Sequence, residues 1–371
     1  MRNIAETIAR MARAGAMPSS PSTGASRLTP MTGFGTNPGA LLGHAYIPDD
    51  LPAMAPLVVV LHGCTQTAAG YDQGAGWSQL ADREGFALLF PEQTRANNPN
   101  LCFNWFASED IAQTGGEAES IAQMTDTMIA RHGLDRQRVY VTGLSAGGAM
   151  TMAMLATRPD LFAGGAVIGG LAYGTATGMS QAFDRMGGHD RSSDTDLADA
   201  VRRGARGHDG PWPTLSIWHG TADTTVSIAN AETIGRQWRS LHGAVATVRE
   251  DRTASRTRRI WTAADGRDVL EEWIVPGMGH GTPIDPSRGD RLGQAGPFML
   301  DVGVSSTAMI AKSWGLVTPV KVDAGAASSP ERVAKIAIPD CAKPVAETPP
   351  AAPTGIQATI ETALRAAGLM R

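Results

Sequence analysis

The chain has 371 residues, 42% of them hydrophobic, and a formal net charge of −4. That supplies core for one large α/β domain or two smaller ones. The charge gives no reason to expect nucleic acid or an anionic membrane as a partner, and no apolar run reaches the roughly eighteen residues that would suggest a membrane span.

In Met1 to Met17 the apolar positions are interrupted by Glu6, Arg10 and Arg13. No signal-peptide core is read, and on sequence alone the cytoplasm is expected. Ile4, Ile8 and Met11 share one face of a short amphipathic helix. Pro18 to Pro30 is rich in Ser, Thr, Pro and Gly and reads as a flexible linker. An N-terminal piece, residues 1–34, is therefore set apart from a main domain over 35–317 and a tail over 318–371.

Ala40 to Ile47 reads as the first strand. Leu57 to Leu61 is a continuous apolar run between Pro56 and Gly63, the pattern of a strand covered on both faces. Tyr71 to Glu84 suits a helix, and Phe86 to Phe90 a buried strand ended by Pro91. Gly115 to His132 suits a helix with Ile121, Met124, Met128 and Ile129 on one face. A β-branched run then leads into Gly143-Leu144-Ser145-Ala146-Gly147, with a helix to about Thr157 and a strand at Ala163 to Ile168.

Residues 171–212 break the rhythm. They are rich in Gly, Ser, Asp and Arg and carry one helix signal, Asp196 to Arg203. They read as an irregular insertion over the active face, a lid or cap. Thr214 to Trp218 is a buried strand and Ile228 to His242 a helix. Arg258 to Thr262 and Val269 to Val275 flank a Gly turn and read as a hairpin. Val304 to Trp314 is the last helix of the domain. Thr318 to Pro353 is rich in Pro and Ala, and Gly355 to Leu369 is a terminal helix with Ile356, Ile360 and Leu364 in one stripe. The alternation of strands and helices predicts an α/β fold with a mostly parallel, doubly wound sheet. In such a sheet ligands bind beyond the carboxyl ends of the strands.

The chemistry centres on Ser145. Strand, G-x-S-x-G and helix together make a nucleophile elbow, in which a sharp turn lifts the serine hydroxyl above the sheet. The Ala146 N–H then points to where a tetrahedral oxyanion would form. Asp223 follows the strand at Thr214 to Trp218, and His280 lies between glycines after the strand ending at Val275. The order Ser145, Asp223, His280 is that of the α/β-hydrolase arrangement. His62 and His219 read as orienting or structural. The Cys64 N–H, after the strand ending at Leu61, is the second oxyanion donor expected. The three cysteines show no zinc spacing. Cys64 and Cys102 form a bridge or remain two buried thiols. Phe103, Trp105 and Phe106 form either an apolar substrate wall or ordinary core.

Leu61-His62-Gly63-Cys64-Thr65-Gln66, Phe90-Pro91-Glu92-Gln93, Cys102-Phe103-Asn104-Trp105-Phe106 and Gly143 to Met150 resemble the poly(3-hydroxybutyrate) depolymerase family of esterases. That family also contains feruloyl and acetylxylan esterases. The resemblance spans about residues 35 to 315. It implies an α/β-hydrolase fold and ester hydrolysis through an acyl-enzyme, without a cofactor. It also implies Ser145, Asp223 and His280 as triad, with Cys64 and Ala146 as oxyanion donors.

Two features depart from the pattern. Many relatives follow the histidine with Ala-Trp, whereas Gly281-Thr282-Pro283 stands here. Secreted relatives carry a signal peptide and a polymer-binding domain. Neither is read here, so oligomers or soluble esters are expected in preference to crystalline polymer, although membership alone would point outside the cell. An acyltransferase using the same residues, and a non-catalytic binding module, are the readings from other classes.

Overall fold

The computed structural model describes residues 26–243, 247–289 and 291–317. The amphipathic segment read at Met1 to Met17, the tail and its terminal helix lie outside them. The described strands are β1 (Thr29–Met31), β2 (Leu42–Tyr46), β3 (Leu57–Leu61), β4 (Ala87–Glu92), β5 (Val139–Leu144), β6 (Gly164–Ile168), β7 (Thr214–Gly220), β8 (Thr247–Arg252), β9 (Thr257–Thr262), β10 (Asp268–Val275), β11 (Thr282–Ile284) and β12 (Met299–Asp301). The helices are α1 (Ala68–Ala75), α2 (Trp77–Glu84), α3 (Gly116–His132), α4 (Ala146–Thr157), α5 (Met179–Met186), α6 (Asp194–Gly204), α7 (Ala229–Leu241) and α8 (Ser306–Ser313).

The main sheet runs β1-β2-β4-β3-β5-β6-β7-β10-β9-β8. From β4 to β10 the strands are parallel, while β1, β2, β9 and β8 join antiparallel at the two edges. The pleat divides the apolar side chains between two layers. Leu57, Val59 and Leu61 pack with residues of α3, α4, α6 and α7 on one face. Val58 and Val60 pack with residues of α1, α2 and α8 on the other. Both faces of β3 are thus dry, which is why its sequence is a continuous apolar run.

Several sequence expectations need correction. The helix expected over Tyr71 to Glu84 is two helices, α1 and α2, separated by left-handed Gly76. Pro91 does not end its strand. The β3 ladder stops at Val59 opposite Leu89, so Pro91 is paired only with β2, opposite Gly43, and its missing N–H is tolerated. The linker read up to Pro30 gives way to β1 at Thr29. The 171–212 stretch holds two helices rather than one. In α6, Leu197, Ala198 and Val201 are buried. In α5, Ala182 packs in a small cluster with Trp105, Ala146, Ala149, Leu171 and Val226, beside the serine turn.

Candidate active site

The elbow is built by close backbone approach. A Cβ on Gly147 would stand 2.3 Å from the Leu61 carbonyl oxygen and 2.5 Å from that of His62. One on Gly143 would stand 2.5 Å from the Gly147 carbonyl. Only glycine lets β3, β5 and the first turn of α4 meet this closely. Ser145 itself has φ 57° and ψ −117°, a conformation costly for a residue with a side chain. Its N–H donates to the Ile168 carbonyl at 2.9 Å, which ties the turn to β6.

The acid and the histidine arrive on neighbouring loops beyond β7 and β10, which pair in parallel. The loops are stitched together: the Ala222 N–H donates to the Met278 carbonyl at 3.0 Å and the Gly277 N–H to Thr221 Oγ1 at 2.8 Å. Asp223 Oδ2 then accepts from His280 Nδ1 at 2.7 Å. A carboxylate partner places the proton on Nδ1 and leaves Nε2 as the basic nitrogen. Asp223 Oδ1 accepts the N–H groups of Thr225 and Val226, both at 2.9 Å. Burial alone would raise the Asp223 carboxyl; the hydrogen bond and charge of His280, with backbone donation, hold it below its ordinary value.

Ser145 and His280 line one narrow cleft, together with Gly63, Cys64, Gln66, Leu144, Thr225 and Phe298. Two backbone N–H groups next to these lining residues lack a backbone acceptor among the described residues. Ala146 is the first residue of α4, where helical N–H groups lack intrahelical acceptors. On the other side the Gly63 N–H donates to Gln66 Oε1 at 2.8 Å and the Thr65 N–H to the Asn100 carbonyl at 2.7 Å. The Cys64 N–H between them has no carbonyl acceptor among the described residues.

His62 and His219 serve the framework. His62 Nε2 accepts the Gln93 N–H at 3.1 Å, so Nδ1 carries the proton and donates to the Gly63 carbonyl at 2.8 Å. Burial lowers its pKa and keeps it neutral. His219 Nε2 donates to the Val226 carbonyl at 2.9 Å and lies 3.6 Å from Asp223 Oδ2. It closes the loop that carries the acid, and burial lowers its pKa as well.

Cys64 and Cys102 are joined by a disulfide. The bridge fastens the loop after β3 to the Cys102–Phe106 loop. That second loop also hangs on Glu117 of α3. Glu117 Oε2 accepts the Asn104 N–H at 2.9 Å and Oε1 accepts from Gln93 Nε2 at 2.6 Å. Burial pushes the Glu117 carboxyl up to about 8. Of the three aromatic residues read as a substrate wall, Phe103 is wholly buried and packs against His62, with ring centroids 5.0 Å apart. It is core, because its side chain lies under the loop. Trp105 and Phe106 sit edge to face in the cluster beside Ala146. The cleft-lining Phe298 carried no sequence signal, since it lies in a stretch without clear periodicity.

A family model described as Esterase PHB depolymerase matches residues 44–261. Poly(3-hydroxyalkanoate) depolymerase C of Paucimonas lemoignei is 45% identical over 292 residues, which is 78% of this chain and 70% of that one. Feruloyl esterase B of Talaromyces funiculosus is 31% identical over 270 residues, 71% of this chain and 75% of that one. The structure of an acetyl xylan esterase from Aspergillus awamori superposes with a TM-score of 0.66 at 24% identity, covering 78% of this chain and 99% of that one, which bears on the fold. The chain has the α/β-hydrolase fold, belongs to the PHB depolymerase family of esterases and is a carboxylic ester hydrolase.

Proposed function

We propose that this esterase works through an acyl-enzyme on Ser145 and acts on poly- or oligo-(3-hydroxyalkanoate) esters. Ser145 Oγ attacks the ester carbonyl while His280 Nε2 takes its proton. The carbonyl oxygen becomes an oxyanion held by the N–H groups of Cys64 and Ala146. As the carbon–oxygen bond to the alcohol breaks, His280 returns the proton to the leaving oxygen. Water, deprotonated by the same nitrogen, then attacks the acyl-serine and releases the acid. Asp223 holds the His280 ring in the required tautomer and stabilises its charged form. Trp105 and Phe106 are proposed to wall the substrate path.

The observation that carries this reading is His280, clamped to Asp223 at 2.7 Å and sharing one cleft with Ser145. The substrate class rests on the 45% identity to a protein named as a poly(3-hydroxyalkanoate) depolymerase, against 31% to one named as a feruloyl esterase. The competing substrates are feruloylated and acetylated carbohydrates. Release of 3-hydroxybutyrate from its soluble oligomers, faster than release of ferulate or acetate from sugar esters, is the expected result. The reverse ranking overturns the substrate assignment. Ser145→Ala should lower kcat by several orders of magnitude. A folded variant with parental turnover of p-nitrophenyl butyrate would sink the mechanism.

A further inference from the structure

The stretch after His280 leads to a residue that the reaction scheme leaves without a part. β11 begins two residues past the histidine and pairs in parallel with β12, Thr282 opposite Met299. The residue just before β12 is Phe298. Its carbonyl accepts the Thr282 N–H at 2.8 Å. Gly296 and Met299 exchange N–H···O hydrogen bonds at 3.0 and 3.1 Å, closing a tight turn around it. Met299 is buried, and Thr282 is anchored by the Tyr71 hydroxyl at 3.0 Å. Phe298 therefore stands on a braced ribbon, with φ 62°, a left-handed conformation unusual for an aromatic residue. Such outliers persist where the surroundings over-determine them, often at ligand contacts.

The ribbon also accounts for glycine directly after the histidine. A Cβ on Gly281 would stand 2.7 Å from the Phe298 carbonyl oxygen and 2.9 Å from Leu300 Cγ. A side chain at position 281 and this placement of Phe298 exclude one another. The ring lines the same cleft as Ser145 and meets the His280 ring nearly at right angles, at 81° with centroids 6.3 Å apart.

Position in the reaction follows from the proton. In ester cleavage His280 Nε2 must reach the leaving oxygen, so the alcohol half of the substrate lies on the histidine side of the carbonyl. The aromatic side chain that meets the His280 ring among the residues lining that cleft is Phe298. We propose that Phe298 is the specificity-determining residue for the alcohol half of the ester, its ring giving an apolar surface to a branched or bulky leaving group. The alcohol half of a 3-hydroxyalkanoate ester is a branched secondary alcohol, which suits such a surface. This rests on the acyl-enzyme reading above.

The test separates the two halves of the ester. Phe298→Ala, Phe298→Leu and Phe298→Tyr are compared with the parent on butyrate esters of methanol, isopropanol and benzyl alcohol, and on ethyl esters from acetate to octanoate. Phe298→Ala is expected to reduce the kcat/KM preference for benzyl over methyl by about tenfold, with the acyl-chain preference moving less than about twofold. Phe298→Leu should fall between Ala and the parent, and Phe298→Tyr should keep the parental ranking. If the alanine variant does not fold, Phe298→Leu carries the comparison. An altered acyl ranking with an unchanged alcohol ranking overturns the proposal, as does no change in either. Fluorophosphonate labelling keeps the two readings apart. Labelling at Ser145 with an unmoved alcohol preference sinks Phe298 alone; absence of labelling in the parent sinks the acyl-enzyme reading beneath it.

Discussion

The centre of the sheet and its outer edge are held by different forces. At the centre, β3 is at most 1% exposed and every residue of α4 is buried. Gly143 and Gly147 let the main chains of β3, β5 and α4 touch. At the edge, β8, β9 and β10 are joined by long charged side chains. Arg249 meets Asp268 at 2.6 Å, and Arg259 meets Glu250 at 2.8 Å and Glu272 at 3.1 Å. Arg258 lies over the Trp273 ring at 4.9 Å. The centre has no slack and fixes the serine; β8, the outermost strand, is exposed and can absorb change. Precision at the site is supplied by shape, where water and salt cannot weaken it.

The largest expected effect breaks the centre. Gly147→Ala places a methyl group against two backbone carbonyls rather than against a flexible side chain. Overpacking of this kind costs about 3 kcal/mol or more, a fall in Tm of roughly 6 °C or more. Thermal unfolding with an activity assay measures it. A variant that melts with the parent and keeps its turnover would show that the elbow has room to relax.

A smaller effect sharpens the contrast through charge. The edge pairs its carboxylates with arginines: burial raises the Glu272 pKa, and Arg259 opposes the rise. Glu117, beneath the Cys102–Phe106 loop, accepts from Gln93 and the Asn104 backbone instead. Its pKa is raised from 4.5 to about 8, so between those values the folded state binds more protons than the unfolded chain. The sign follows: the stabilisation from Glu117 is complete below about pH 4.5 and is lost as pH rises through 8. Glu117→Gln should therefore flatten the decline between pH 5 and 8, by on the order of 1–3 kcal/mol in urea unfolding. Identical slopes for parent and variant would mean that Glu117 is ionised in the fold throughout.

The same contrast decides what the sequence could reveal. Leu57 to Leu61 and the glycines around Ser145 are local demands of burial and close approach, and each is written within a few residues. The order of Ser145, Asp223 and His280 needed only strand ends to be located. β8 was missed because Thr-Val-Arg-Glu-Asp-Arg is the composition of a solvated edge strand and has no apolar alternation. α5 was missed because eight residues after Gly178 give too little periodicity. Phe298 owes its place to pairing between β11 and β12, and Phe103, open in the sequence between substrate wall and core, is core by burial. Neither fact is local, so neither was legible.

The smallest effect lies at the edge. Arg249→Ala removes an ion pair whose side chains are 56% and 50% exposed. In such a pair, water and salt already screen the attraction, and two long side chains give up rotamer freedom to form it. The expected cost is about 0.5 kcal/mol or less, a shift in Tm near 1 °C, with turnover unchanged and the difference smaller still in high salt. Thermal melts at low and high ionic strength measure it. The contrast depends on the ranking, because the edge strand lies several strands from β5. If Arg249→Ala cost as much as Gly147→Ala, the charged ladder would be holding the sheet together as firmly as the packed centre does. A loss of activity in Arg249→Ala without loss of stability would mean instead that strain at β8 reaches His280 through β10, whose last residue, Val275, lies five before it.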